Sequence, residues 1–281
     1  MPDSNVTAVD NDGVVRAAAE ARAQVLAPQI SACIITFNEA DRIERCIAAV
    51  SFCDEIVVVD SHSSDGTREV AARLGARVIE RDWPGYRSQK QYATDVAQHE
   101  WVLCVDADEW VTPELRTEIL ALKARGFPGA QGYAVPRLTA YFGGYLHHGN
   151  AWPDRKIRLY RRSTARWVGY EVHEKIAVDG PVGRLRAPLE HHAYRSLGDH
   201  MRRVDRYARL LAVEMHRDGR RCSLAAAWFH PCWRFVRGML IKRGLLDGWR
   251  GWLYHSVEAG YVHRKYLYLW ALSRVPPSAL E

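Results

Sequence analysis

Apolar residues in the first half of the chain fall in short unbroken runs, with polar and helix-patterned stretches between them. Residues 30–37 form a β-branched, apolar run that stops at Asn38-Glu39-Ala40-Asp41, after which Ile43, Cys46, Ile47 and Val50 recur at helical spacing. Residues 55–60 (EIVVVD) are a second run, followed by a Ser-, Asp- and Gly-rich turn over 61–67 and a predicted helix over 67–74. A third strand is predicted over 77–80, a helix over 88–97 and a fourth strand over 101–105 (WVLCV). A strand that is apolar at every position has both faces covered. Such strands alternating with helices predict an α/β fold, with a mostly parallel sheet and helices on both faces.

Beyond Asp108 the alternation breaks. Residues 132–136, 156–161 and 175–178 read as strands separated by long loops. From 196 onward the pattern is helical: Met201, Val204, Tyr207, Ala208, Leu211 and Met215 share one face, and amphipathic stretches follow over 228–242 and 249–272. This divides the chain into a polar, Ala-rich flexible leader over 1–28, an α/β unit over 29–195 and a C-terminal helical appendage over 196–281.

Composition changes this picture mainly at the C-terminal end. The chain has 281 residues, 48% hydrophobic and 26% charged, enough for a sizeable core without staples. Its six cysteines include no C-x-x-C pair, and Cys33 and Cys104 lie in strand-like runs, so buried thiols fit better than a zinc site or disulfides. The net charge is +6, and residues 225–281 hold eight Lys/Arg against three Asp/Glu, with five of the ten Trp. A basic, aromatic-rich end fits an anionic surface; it also fits helices packed on the α/β unit with a solvated basic face. The leader has no apolar signal-peptide core and no run reaches 18 apolar residues, so the expected location is cytoplasmic, with peripheral contact to an anionic inner-membrane face.

Ligands of an open parallel sheet bind beyond the C-terminal ends of its strands. Three polar or acidic clusters stand at such ends: 36–39, 60–65 and 106–109. The last, V-D-A-D-E-W, puts Asp106 and Asp108 two residues apart where a buried strand stops. Such a pair can hold Mg²⁺ or Mn²⁺ against a diphosphate, because hard cations take carboxylate oxygens together with substrate phosphates. A solvated acidic turn, with an Asp as the N-cap of a helix before Pro113, is the plainer alternative.

The runs C-I-I-T-F-N-E-A-D-R-I, V-V-V-D-S-H-S-S-D-G-T, Y-R-S-Q-K-Q-Y-A and W-V-L-C-V-D-A-D-E-W-V-T-P-E-L together resemble glycosyltransferase family 2, nucleotide-sugar transferases of the GT-A fold. R-K-I-R-L-Y-R-R, V-H-E, H-H-A-Y-R-S and G-L-L-D-G-W are similar to a branch that includes lipopolysaccharide core glycosyltransferases. The resemblance spans about 30–270 and implies a nucleotide-sugar half over 29–110 and an acceptor half over 111–195. It implies that Thr36 and Phe37 line the nucleobase pocket, Glu39 helps hold the nucleoside, and Asp60 accepts a hydrogen bond from the base, typically uracil. It further implies that Arg87 or Lys90 meets the diphosphate, that Asp106 touches the ribose or donor sugar, and that Asp108 ligates the metal, with Asp106 and His191 as further candidate ligands.

Inverting transfer needs one general base to take the acceptor proton on the face opposite the leaving diphosphate. Glu174 in V-H-E-K matches the branch in place and type; Asp154 is the second candidate. The Glu-Asp pair and the Q-x-x-R-W motif of many family members are absent here. The expected partners are a nucleotide-sugar donor and a glycan or glycolipid acceptor. A sugar-nucleotide nucleotidyltransferase would need a Gly-rich loop after the first strand, where this chain has Phe37-Asn38-Glu39-Ala40. A nucleic-acid binder would leave three acidic strand ends facing phosphates.

Overall fold

The computed structural model describes residues 27–170, 173–276 and 278. The flexible leader expected over 1–28 falls outside them, apart from its last two residues. The chain begins with the predicted alternation: β1 (Ile30–Thr36), α1 (Ala40–Ala49), β2 (Glu55–Asp60), α2 (Thr67–Arg73), β3 (Arg77–Glu80), α3 (Tyr86–Asp95) and β4 (Trp101–Asp106). It continues with β5 (Glu109–Val111), α4 (Pro113–Ala124), β6 (Gly132–Thr139), β7 (Asp154–Arg161), β8 (Ala165–Val168), β9 (Lys175–Val178), β10 (Val182–Arg184) and β11 (Leu189–His191). Among the described residues, nine strands form one sheet in the order β3–β2–β1–β4–β7–β6–β11–β5, with β10 on β6.

The sheet is parallel from β3 to β4 and mixed thereafter, because β7 runs antiparallel to both β4 and β6. Strand β1 shows why its sequence is apolar at consecutive positions. Ile30, Ala32 and Ile34 pack with Ile43, Cys46 and Ile47 of α1 and Leu115 and Ile119 of α4. Cys33 and Ile35 pack on the other side with Ala93 and Ala97 and with Trp167 and Ile176 of the β8–β9 ribbon. Cys33, Cys46 and Cys104 are buried free thiols, as expected.

The helix α4 was not legible in the apolar pattern, because it buries only Leu115 and Ile119. Its start carries the usual chemistry nonetheless: Pro113 occupies the first turn, and Thr112 Oγ1 accepts from Leu115 N at 3.2 Å. Thr112, not an Asp of the acidic turn, is therefore the cap.

The C-terminal region forms α5 (Leu197–Arg217), α6 (Leu224–Val236) and α7 (Gly248–Ala271), with short irregular turns Arg237–Ile241 and Gly244–Asp247 between the last two. Ser196 and Ser223 cap α5 and α6. The apolar face of α5 is buried at Val204, Ala208, Leu211 and Met215, whereas Met201, one turn too early, is exposed. Over the amphipathic stretch expected at 228–242, Met239 turns inward, whereas Trp228, Phe229, Trp233, Val236 and Leu240 face solvent.

Candidate active site

The sheet order makes β2, β1 and β4 neighbours, so the three polar strand ends stand side by side. Thr36 pairs in register with Asp60, and Ile35 with Asp106. Asp60 is fully buried and accepts from Thr36 Oγ1 at 2.8 Å, Ser63 N at 2.7 Å and Ser63 Oγ at 2.5 Å. It thereby folds the turn after β2 against β1. Ser63 Oγ in turn accepts from Asn38 N at 2.8 Å, which fixes the segment beside Phe37, an exposed ring at the end of β1.

At the end of β4 the structure brings Lys90, Asp106 and Glu174 together. Lys90 Nζ lies 2.8 Å from Asp106 Oδ1 and 2.7 Å from Glu174 Oε1. Burial works against its charge, but these two carboxylates outweigh it and hold the ammonium firmly protonated. Asp106 is half-buried, and Lys90 together with Arg158, at 2.8 Å, holds its carboxyl far below the usual range. Arg158 then bonds the fully buried Glu109, which receives Arg137 at 3.1 Å, and Arg137 donates to Asp154 at 3.0 Å. A chain of alternating charges thus runs from Glu174 to Asp154. Although burial pushes the Asp154 carboxyl up, Arg137 and Lys156 bring it below its ordinary range, which makes it a poor proton acceptor.

Sequence reasoning missed Glu109, Arg158 and Arg137. The available signal was a charge inside the otherwise apolar stretch Ile157-Arg158-Leu159-Tyr160. A buried pair that loses one partner leaves an uncompensated charge, so Glu109→Ala should lower the unfolding free energy by about 3–5 kcal/mol. Urea denaturation measures it; a loss below about 1 kcal/mol, the range of an exposed pair, would show that the network is not holding the strand ends together.

Asp108 is placed differently from Asp106. Among the described residues no donor comes within hydrogen-bond reach of its carboxylate: Arg203 stands at 3.6 Å, His191 at 3.8 Å and Arg42 at 3.9 Å. Burial pushes its pKa up, but His191, Arg203 and Arg42 bring it below the ordinary value. Burial in turn depresses the His191 imidazole to about 3, so at neutral pH that ring is uncharged and the two arginines carry the effect. The His191-His192 doublet is resolved by β11, which pairs with β5 and β6. His191 turns to Asp108, while His192 lies on Trp110 with ring centroids 3.7 Å apart. Among the described residues, buried His191 Nδ1 and Arg42 Nη1 have no hydrogen-bond partner.

Glu39 completes this side. Arg195 binds it at 2.7 Å and Asp41 at 2.7 Å, and burial pushes the Glu39 carboxyl up. Arg203 comes from the start of the C-terminal region, which therefore supplies a side chain to the site, and Arg195 immediately precedes that region. Of the two diphosphate candidates, Lys90 is at the centre of the cluster, whereas Arg87 donates to the Gly169 carbonyl at 3.2 Å.

The family model described as "Glycosyl transferase family 2" matches residues 31–180. The chain belongs to glycosyltransferase family 2. The lipopolysaccharide core biosynthesis glycosyltransferase LpsC of Rhizobium meliloti is similar to it, 32% identical over 82% of this chain and 86% of its own. An uncharacterized glycosyltransferase of Rickettsia typhi is 30% identical over 80% of this chain and 81% of its own. Among solved structures, a glucosyl-3-phosphoglycerate synthase from Mycobacterium tuberculosis, in complex with Mn²⁺ and uridine-diphosphate-glucose, is 16% identical with a TM-score of 0.47, covering 78% of this chain and 86% of that one. The family 2 chain has the GT-A arrangement expected of it: a parallel β3–β2–β1–β4 half that continues into a mixed half, with the acidic turn after β4 between them.

Proposed function

We propose that this glycosyltransferase inverts configuration as it moves a sugar from a nucleoside diphosphate, of the uridine type, to a hydroxyl of a glycan or glycolipid acceptor, with Mg²⁺ or Mn²⁺ at Asp108. The observation that carries the reading is the convergence of three polar strand ends on one edge, beside a carboxylate that no donor satisfies. Among the described residues no group of three or more His, Cys, Asp or Glu gathers closely enough to hold a metal alone. The residues nonetheless fit one. A hard cation is commonly held by one or two carboxylates with substrate phosphates completing its shell, and the open Asp108 carboxylate with the unpartnered, neutral His191 suits that role. When bound, the cation would neutralise charge on the leaving diphosphate.

The chain's own residues divide the remaining work. Phe37 offers its exposed face to the nucleobase, while Asp60 holds Thr36 and the 61–67 turn in shape around it. Glu39 stands beside the nucleoside. Arg42 and Arg203, near Asp108 yet not bonded to it, are positioned to meet phosphate oxygens, and Lys90 adds positive charge behind them. Asp106, already bonded on both oxygens, orients Lys90 and faces the ribose or donor sugar. Glu174 takes the acceptor proton as the hydroxyl attacks. Similarity to LpsC supports a lipopolysaccharide-core type of acceptor.

Incubating the protein with a panel of nucleotide-sugars and Mn²⁺, and assaying nucleoside diphosphate release, tests the proposal. Release from UDP-sugars, faster with acceptor glycolipid than without, is expected. Formation of UTP and sugar-1-phosphate when inorganic pyrophosphate is added, without release of UDP, would instead assign the site to nucleotidyl transfer.

A further inference from the structure

Helix α6, the turns after it and the start of α7 carry large apolar side chains that nothing in the described chain covers. Trp228 is 62% exposed, Phe229 67% and Leu246 66%, and Trp233, Trp249 and Trp252 are each half exposed or more. Monomeric soluble proteins rarely leave so many large apolar residues together in water without a use for them.

This face is held in place from beneath. Pro231 cannot donate to the Ala227 carbonyl, and His263 Nδ1 of α7 sits 2.7 Å from that oxygen instead. Arg234 turns inward to Glu258 at 2.8 Å. Asp247 accepts from the backbone of His147 at 3.1 Å and His148 at 3.0 Å, and Gly149 donates to the Lys242 carbonyl at 2.8 Å. Gly149, Gly238 and Gly244 close on the buried His255 so tightly that a Cβ at any of them would come within 3.0 Å of its ring. The loop so clamped, 140–153, leaves the sheet at Thr139, the partner of His191, and returns at Asp154, bound to Arg137. The apolar face is therefore fixed to a loop rooted at the edge of the site.

Charge selects the occupant. Residues 224–252 contain five Lys/Arg and a single acid, Asp247, whose carboxylate is already spent on His147 and His148. Arg237, Lys242 and Arg243 are exposed beside the aromatic residues. A second copy would bring the same cations against themselves across a twofold interface. An anionic lipid surface satisfies both parts, taking aromatic rings at the headgroup boundary and cations on the phosphates. Among the described residues no helix is long and apolar enough to cross a membrane.

We propose that this face seats the enzyme on an anionic bilayer, with Trp228, Phe229 and Trp233 inserted at the headgroup level and Arg237, Lys242 and Arg243 on lipid phosphates. The inference concerns a surface apart from the transfer site and does not depend on the donor or acceptor assignment. Co-sedimentation of the full chain with phosphatidylcholine vesicles, with and without phosphatidylglycerol, tests it, together with the blue shift of tryptophan emission on binding. Binding is expected to the anionic vesicles and to weaken with salt. The triple variant Trp228→Ser/Phe229→Ser/Trp233→Ser changes only exposed positions and should partition about 1,000-fold less, at roughly tenfold for each aromatic removed. Its circular dichroism and melting temperature should match the parent. Arg237→Ser/Lys242→Ser/Arg243→Ser should abolish the preference for anionic lipid. A parent chain that binds neither vesicle, or that is a dimer in light scattering while the aromatic variant is a monomer, would overturn the proposal.

Discussion

Glu174→Gln should reduce kcat by about 10²- to 10⁴-fold, the usual contribution of a positioned general base, while leaving affinity for UDP unchanged. Gln keeps an oxygen that can accept from Lys90, so the ammonium retains a second partner beside Asp106 and the end of β4 stays in place. What the substitution removes is the capacity to take a proton from the acceptor. Loss of a group that acts only in the transition state lowers kcat and kcat/KM together. Slow donor hydrolysis would persist. Steady-state kinetics with calorimetric titration of UDP check this outcome. Near-parental transfer would move the base elsewhere, and Asp154, held by Arg137 and depressed in pKa, would have to be tested next. Loss of UDP binding along with activity would instead place Glu174 among the residues that hold the donor pocket.

The parts of the molecule legible in the sequence were those built by local periodicity. Strands β1 to β4 are buried on both faces and so appear as continuous apolar runs, and their polar ends mark the ligand edge. The second half of the sheet was much less visible. Strands β5, β10 and β11 have three residues each, too few for a period to show; β10 and β11 pair with β6, and β5 with β11, across long sequence separations. The site followed the same division. Asp106, Asp108, Lys90, Glu174 and His191 could be named because strand ends and family motifs pointed to them. That Lys90 joins Asp106 to Glu174 could not be, since this depends on the fold bringing residues 84 positions apart to 2.7 Å. Arg203 escaped notice because it lies in a helix whose periodic face explained everything else around it. The appendage was read correctly as helical and basic. The sequence could not show which of its apolar residues are exposed; the fold turns Trp228, Phe229 and Trp233 outward, and the proposed membrane face rests on that.

Asp108→Ala is expected to lower transfer by about 10³-fold or more, since a metal at the leaving group contributes several kcal/mol of charge stabilisation and each 1.36 kcal/mol is a factor of ten. The substitution should not unfold the chain. Among the described residues no hydrogen bond is lost from the Asp108 side chain, and Arg203, His191 and Arg42 already stand 3.6–3.9 Å away. Removing the carboxylate leaves Arg42 and Arg203 without a nearby anion on that side, so UDP would still be attracted, but less tightly and without dependence on the cation. Removal of divalent ions by EDTA should reproduce the activity loss in the parent protein and change nothing further in the variant.

Calorimetric titration of UDP into the parent chain and into Asp108→Ala, each with Mn²⁺ and each with EDTA, bears on the central claim most directly. Saturable binding to the parent is expected in Mn²⁺, with a clear weakening in EDTA, and a variant whose weaker binding is the same under both conditions. Equal affinity of parent and variant in Mn²⁺, or parent binding indifferent to EDTA, would contradict it.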